Sequence, residues 1–192
     1  MVENHDPQYE SLDPELLGIA RILKESTCFT RVDDEAPLYE KQMIFLAAAG
    51  VKPVSEASSG HWQSVPGGRK TVPDDEQDVK LLLDHLGLFC RLSNDDHVIH
   101  AAVSLSDTLL DTFLTTTGTA HPALNGLLYG FPPSAAMAFA LQKSTDFIDL
   151  DPVLDANGLR SLSVFRFSRA WSDEELRVLK FWHRTLVKYG LD

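Results

Sequence analysis

The chain has 192 residues, 44% hydrophobic and 23% charged, an ordinary globular balance that suits one domain burying roughly 70% of its unfolded surface without a disulfide or metal staple. Its net charge of −11 divides as −7, +3, −9 and +2 over residues 1–40, 41–73, 74–160 and 161–192. Such an acidic surface repels phosphate, so nucleic acid and membrane surfaces are disfavoured as partners.

The chain opens Met1-Val2-Glu3-Asn4-His5-Asp6 with no apolar leader, and its longest greasy run, Met43 to Ala49, is far below the roughly 18 residues of a membrane span. Residues 1–12 are expected to form a flexible tail. Cys28 and Cys90 stand far apart, outside any C-x-x-C pair, and both sit among apolar neighbours. That pattern suits buried structural thiols in a reducing cytoplasm; the alternative is a nucleophilic thiol paired with one of the seven histidines.

Proline at the first helical position and glycine just past the last one mark out the helices. Asp13-Pro14 opens the first, running to about Thr27. Pro37 opens the second, through Tyr39, Ile44 and Phe45 to a stop at Gly50. Residues 52–72, rich in serine, glycine and proline, show no apolar period and read as a long loop. Pro73, followed by Asp74-Asp75-Glu76, opens a helix that Gly87 stops, its carboxylates matching the positive end of the dipole.

Leu88–Leu92 and His97–Val103 flank Ser93-Asn94-Asp95-Asp96 and predict a hairpin. A helix follows from Ser106-Asp107, a short one over Pro122–Gly130, and another from Pro132 or Pro133 along an alanine-rich face. Thr145–Gly158 reads as an irregular acidic connection and Ser161–Phe167 as a third strand beside the hairpin. Ser172 and Glu175 form a capping box for a last helix carrying Leu176, Leu179, Trp182 and Leu186 at helical spacing. Its aromatic stripe, Phe181, Trp182 and Tyr189, reads as core. The sum is one α+β domain over 1–192, with about seven helices around a small, mostly antiparallel sheet of about three strands.

Chemistry is sparse. The 52–72 loop gathers His61, Trp62, Arg69 and Lys70 around Gly67-Gly68, but a phosphate loop needs G-x-x-x-x-G-K-[ST] after a strand, and Arg69 interrupts that order. A looser contact to a small anion or a partner fits Arg69 and Lys70 better. His97 and His100 form H-x-x-H; on a strand they face opposite ways and cannot share an ion. With His121, Cys90, Asp95 and Asp96 they make a metal site only if the fold gathers them. No zincin, nucleophile-elbow, kinase or dinucleotide motif occurs, and no cofactor is clearly implied.

Leu127-Leu128-Tyr129-Gly130-Phe131-Pro132-Pro133-Ser134-Ala135, with Phe139 behind it, resembles the L-G-[YF]-P stretch of uncharacterised archaeal and bacterial domain-of-unknown-function proteins. Phe165-Arg166-Phe167-Ser168, leading to Trp171 and Glu174-Glu175-Leu176, resembles the same group. Together these segments cover about a quarter of the chain. The resemblance implies cysteine where this chain has Ser134 or Ala135, so a site built on such thiols does not carry over, and it implies no activity. The corner at Tyr129–Ser134 remains of physical interest, because small residues let a ligand approach a helix N-terminus closely.

The expectation is a non-catalytic binding or regulatory protein, as a homo-oligomer or with a protein partner. Its ligand-contacting residues are expected among His61, Trp62, Arg69, Lys70, Tyr129 and Ser134. The alternatives are a metal-assisted hydrolase on His61, His97, His100 and His121 with nearby aspartates, and a part of a larger assembly.

Overall fold

The structure, a computed structural model, describes residues 12–30, 38–66, 68–95, 97–117, 121–141, 147–162 and 165–192. The expected N-terminal tail lies outside these residues, apart from Leu12. The fold is α+β. Among the described residues there are eight helices, a curled four-stranded antiparallel sheet and a separate two-stranded ribbon. None of the helices is long and apolar enough to cross a membrane.

Helix α1 spans Pro14–Glu25, with the Asp13 carboxylate accepting the Glu15 N–H. α2, Tyr39–Ala48, is buried from Lys41 to Ala48 and forms the centre of the molecule. Its two buried polar members anchor the end of α1 and the C-terminal segment: Lys41 Nζ donates to the Ser26 carbonyl at 2.7 Å, and Gln42 Nε2 to that of Leu191 at 2.8 Å. α3 spans Glu76–His85, capped by Asp75, and Gly87 stops it at φ +71°.

The 52–72 segment is not a loop. Ser55–Val65 (β1) and Gly68–Pro73 (β2) pair as an antiparallel hairpin, and β1 also pairs with Ile99–Ser104 (β4), which pairs with Phe89–Asn94 (β3). The strand order is β2-β1-β4-β3. β1 shows no apolar alternation because its inward positions are small: Ala57 and Ser59 are buried while Glu56 is exposed. Cross-strand pairing, not intrinsic propensity, makes it a strand. β1 changes partner from β4 to β2 at Gly60, where an added Cβ would lie 3.0 Å from Val98 Cγ1 and 3.1 Å from two backbone oxygens.

The sheet separates two cores. Ala57, Ile99, Ala101 and Val103 pack with α1, α2, α3 and the last helix, α8 (Ser172–Lys188). Ala102 points the other way, into a smaller cluster with Val54, Leu110, Phe113 and Leu128, contributed in part by α4 (Asp107–Thr116) and α5 (Pro122–Leu128). α6, Pro133–Ala140, follows directly.

Three further expectations are corrected. The acidic connection holds a short helix, α7, Asp151–Ala156, with Pro152 in its first turn. Among the described residues, the expected third strand over Ser161–Phe167 does not join the hairpin: residues 160–162 form a 3-10 turn, and Phe167–Ser168 (β6) pairs with Phe147–Ile148 (β5). The capping box does not form. Trp171 holds the N-cap position, and the Glu175 carboxylate instead accepts the Ser168 N–H at 2.6 Å and the hydroxyls of Ser168 and Ser134 at 2.7 Å each. Glu175 is fully buried, so these three donors replace its lost hydration and tie α6 and β6 to α8.

Candidate functional site

The α5–α6 corner sets up an aromatic-lined cavity. Tyr129 closes α5, Gly130 takes φ +78°, and the Phe131 N–H returns to the Gly126 carbonyl at 2.9 Å. α5 and α6 approach so closely that a Cβ on Gly126 would lie 2.9 Å from Ala136 Cβ. Where Ala135 and Ala136 present only methyl groups, a cavity of about 570 Å³ opens between these helices, β5 and the Phe165–Arg166 segment.

Aromatic rings form its wall in a continuous series. Phe113 meets Tyr129 edge-on at 4.9 Å between centroids, Tyr129 stacks on Phe131 at 5.4 Å, and Phe131 meets Phe165 at 5.3 Å. Phe165 in turn stands edge-on to Trp182 at 6.3 Å. Tyr129, Phe131, Phe165 and Phe147 line the space itself.

Among the described residues, three polar side chains reach it. The Asn125 amide is already engaged: its oxygen accepts from Thr116 Oγ1 at 2.5 Å and its nitrogen donates to the Thr116 carbonyl at 3.0 Å. Arg166 holds its guanidinium 5.9 Å from the Phe147 ring centre and, among the described residues, pairs with no carboxylate. Nor does the Tyr129 hydroxyl have a hydrogen-bond partner among them. Among the described residues the cavity thus combines an apolar body with a cation and a hydroxyl that have no partner there, the composition expected of a small-molecule site.

Lys52 lies behind this wall. It is 3% exposed, its Nζ 4.8 Å from the Trp182 ring centre, 5.8 Å from that of Tyr129 and 3.5 Å from Met43 Sδ. Burial lowers its pKa from 10.5 to about 8 against the weaker opposing pull of Glu56. The same desolvation, with His100 and Lys52 opposing it, pushes the Glu56 carboxyl up.

The residues expected to form one site are dispersed. Tyr129 lines the cavity, but Ser134 belongs to the Glu175 cluster and faces a different groove, with Met137 and Trp171. Trp62, Arg69 and Lys70 sit on the outer part of the β1–β2 hairpin, opposite Thr71, Ser64 and Gln63. His61 has its Nδ1 2.9 Å from Asp74 Oδ1, and Asp74 Oδ2 accepts from the buried Ser59 hydroxyl, which in turn receives the Phe29 N–H. That chain secures the turn after α1, where Phe29 is fully buried at φ +56°.

The proposed metal ligands do not converge. His97 lies in the β3–β4 turn with its N–H on Asp95, His100 faces Ser58 and Asp95, and His121 precedes α5. Asp96 lies outside the described residues, and among those residues no group of three or more His, Cys, Asp and Glu side chains is placed to hold a metal ion. Burial raises the thiol pKa values of Cys28 and Cys90 above 9.0, the direction opposite to thiolate activation.

Sequence reading misses Phe131, Phe147, Phe165, Arg166 and Lys52 as site residues. One signal was available, the alternation Phe165-Arg166-Phe167, which places a cation between two rings. No family model matches the chain, and no curated protein or solved structure matches it significantly.

Proposed function

We propose that this protein binds a small apolar acid, such as an aromatic or medium-chain carboxylate, in the cavity between α5, α6 and the Phe147 and Phe165–Arg166 segments. One observation carries the reading: an aromatic-walled space of about 570 Å³ borders a guanidinium that has no carboxylate partner among the described residues. An apolar body would displace water from the rings, and its carboxylate would take the Arg166 fork in a charge-assisted hydrogen bond. The Tyr129 hydroxyl supplies a second donor. Among the described lining residues, Asn125, Tyr129 and Arg166 supply no nucleophile and no neutral-pH base, which favours holding the ligand over transforming it. The role is that of a binding or regulatory protein.

Calorimetry with octanoate and 3-phenylpropanoate, each beside its neutral amide, tests this. The acids are expected to bind in the micromolar range and the amides about tenfold more weakly or worse, a difference of about 1.4 kcal/mol or more. Arg166→Gln should bring each acid down to its amide's level and leave the amide unchanged. Equal affinity for acid and amide, or no heat from any of them, defeats the proposal.

A further inference from the structure

The face of the sheet that carries Glu56 and Ser58 holds a second cleft, of about 550 Å³. Ser58 of β1, His100 of β4 and Ser93 of β3 lie in one register row across three strands. Ser58 Oγ is 3.3 Å from His100 Nδ1, and His100 Nε2 is 3.0 Å from Asp95 Oδ2. Asp95 is itself held by its other oxygen, which accepts the N–H groups of His97 at 2.8 Å and Val98 at 2.9 Å. These donors, with the His100 hydrogen bond, hold its carboxyl at about 2, so it is ionised at neutral pH.

The polarity of the chain follows. An ionised carboxylate only accepts, so in neutral His100 the proton sits on Nε2 and the Nδ1 lone pair faces Ser58. The Ser58 hydroxyl therefore donates to a base that a fixed acid orients, which is the arrangement of an activated nucleophile. A separation of 3.3 Å is loose, as such contacts often are before substrate arrives.

We propose that Ser58 is the nucleophile of a second, hydrolytic site, with His100 as its base and Asp95 as the positioning residue, acting on small esters that carry a cationic group. The cleft's charge sets that preference. Glu56 lines it, and among the described residues the one lining arginine, Arg91, has its guanidinium bound to Asp107 at 2.9 Å and Asp111 at 2.7 Å. An anionic ester would be repelled and a cationic one drawn in.

In the reaction Ser58 Oγ bonds to the ester carbonyl carbon and its proton passes to His100 Nδ1. The carbon–oxygen bond to the alcohol then breaks, and the alcohol leaves with that proton. Water adds to the acyl carbon while His100 takes one of its protons, the acid departs, and the proton returns to Ser58 Oγ. The sum is ester plus water giving acid plus alcohol. The Ser58 N–H is held by Glu40 Oε2 at 2.9 Å and is not free for the oxyanion. Among the described lining residues Ser93 brings a hydroxyl to the cleft wall, while the Arg91 guanidinium is taken up by Asp107 and Asp111, so turnover should be slow beside enzymes with two backbone donors.

The test is labelling of the full-length protein with an alkyl fluorophosphonate, mapped by peptide mass spectrometry, beside hydrolysis of a neutral and a trimethylammonium-bearing p-nitrophenyl ester. Label is expected on Ser58, absent in Ser58→Ala and at least tenfold slower in His100→Ala, with the cationic ester cleaved faster. Asp95→Asn is the second variant, should His100→Ala not fold. It should slow labelling and abolish the 15N NMR signature of a His100 protonated on Nε2 alone. Label confined to other serines, equal rates in the histidine and aspartate variants, or a preference for the neutral ester would overturn the assignment.

Discussion

Replacing Lys52 with methionine should stabilise the protein near neutral pH and remove a distinctive part of its pH dependence. Lysine is rarely buried without a carboxylate partner, yet here the ammonium rests on two aromatic rings and a thioether. Burial moves its pKa from 10.5 to about 8, which at 1.36 kcal/mol per pH unit is a cost of about 3 kcal/mol for keeping the charge inside. Attraction to Trp182 and Tyr129 offsets up to about 2 kcal/mol of that. Methionine has similar bulk and no charge, so the net gain should be about 1–3 kcal/mol.

The sign of the pH effect follows from proton counting. Between the folded pKa of about 8 and the unfolded value of 10.5, the unfolded chain binds more protons, so wild-type stability rises with pH. The rise relative to Lys52→Met should be about 2.5 kcal/mol from roughly pH 7 to pH 10. Urea denaturation of both proteins across that range measures it, and contributions from other lysines cancel in the difference. A variant that is less stable at neutral pH, with a stability curve parallel to the wild type, would refute the reasoning.

The remaining predictions concern packing and reactivity. Glu175→Ala strands the Ser168 N–H and two hydroxyls in the interior and should cost about 3–5 kcal/mol in a denaturant titration, with Glu175→Gln recovering part of it; a loss below about 1 kcal/mol would remove Glu175 as the pin between α6, β6 and α8. Gly126→Val forces a side chain against Ala136 and Phe131, so it should cost about 1–3 kcal/mol and weaken acid binding at least tenfold in the calorimeter. Cys28 and Cys90 both have thiol pKa values raised by burial, so both should react with a disulfide reagent at pH 7 more slowly than free cysteine; a fast-reacting thiol would contradict this.

Helices were legible in the sequence because their signals are local. Asp13-Pro14 before α1 and Ser106 before α4 each fix a first turn through one side chain or one ring. Pro73, expected to open α3, instead ends β2, and the helix starts at Glu76 on an Asp75 cap. The hairpin β1–β2 was not legible, since a strand of serine, alanine and glycine has no apolar period and is specified by β4 alongside it. Glu175 stands three residues after Ser172, as a capping box requires, but tertiary donors from β6 and α6 outcompete the local one.

The cavity was legible in part, at Tyr129 and the helix corner that follows it. Phe131, Phe147 and Phe165 belong to three segments, and only the fold brings their rings to one space. Lys52 falls in the segment 52–72 that reads as a loop, whereas the chain turns it inward against Trp182. On one strand His97 and His100 would face opposite ways; His97 instead lies in the turn before β4, so a different geometry separates them.

The central claim, an aromatic-walled cavity for an apolar acid, is most directly tested by isotope-filtered NMR of the protein with bound octanoate. The account predicts intermolecular Overhauser contacts from the ligand's methylene chain to the rings of Tyr129, Phe131, Phe147 and Phe165, with the carboxylate end nearest Arg166. Contacts to a different surface, or saturable binding with none of these rings in contact, would contradict it.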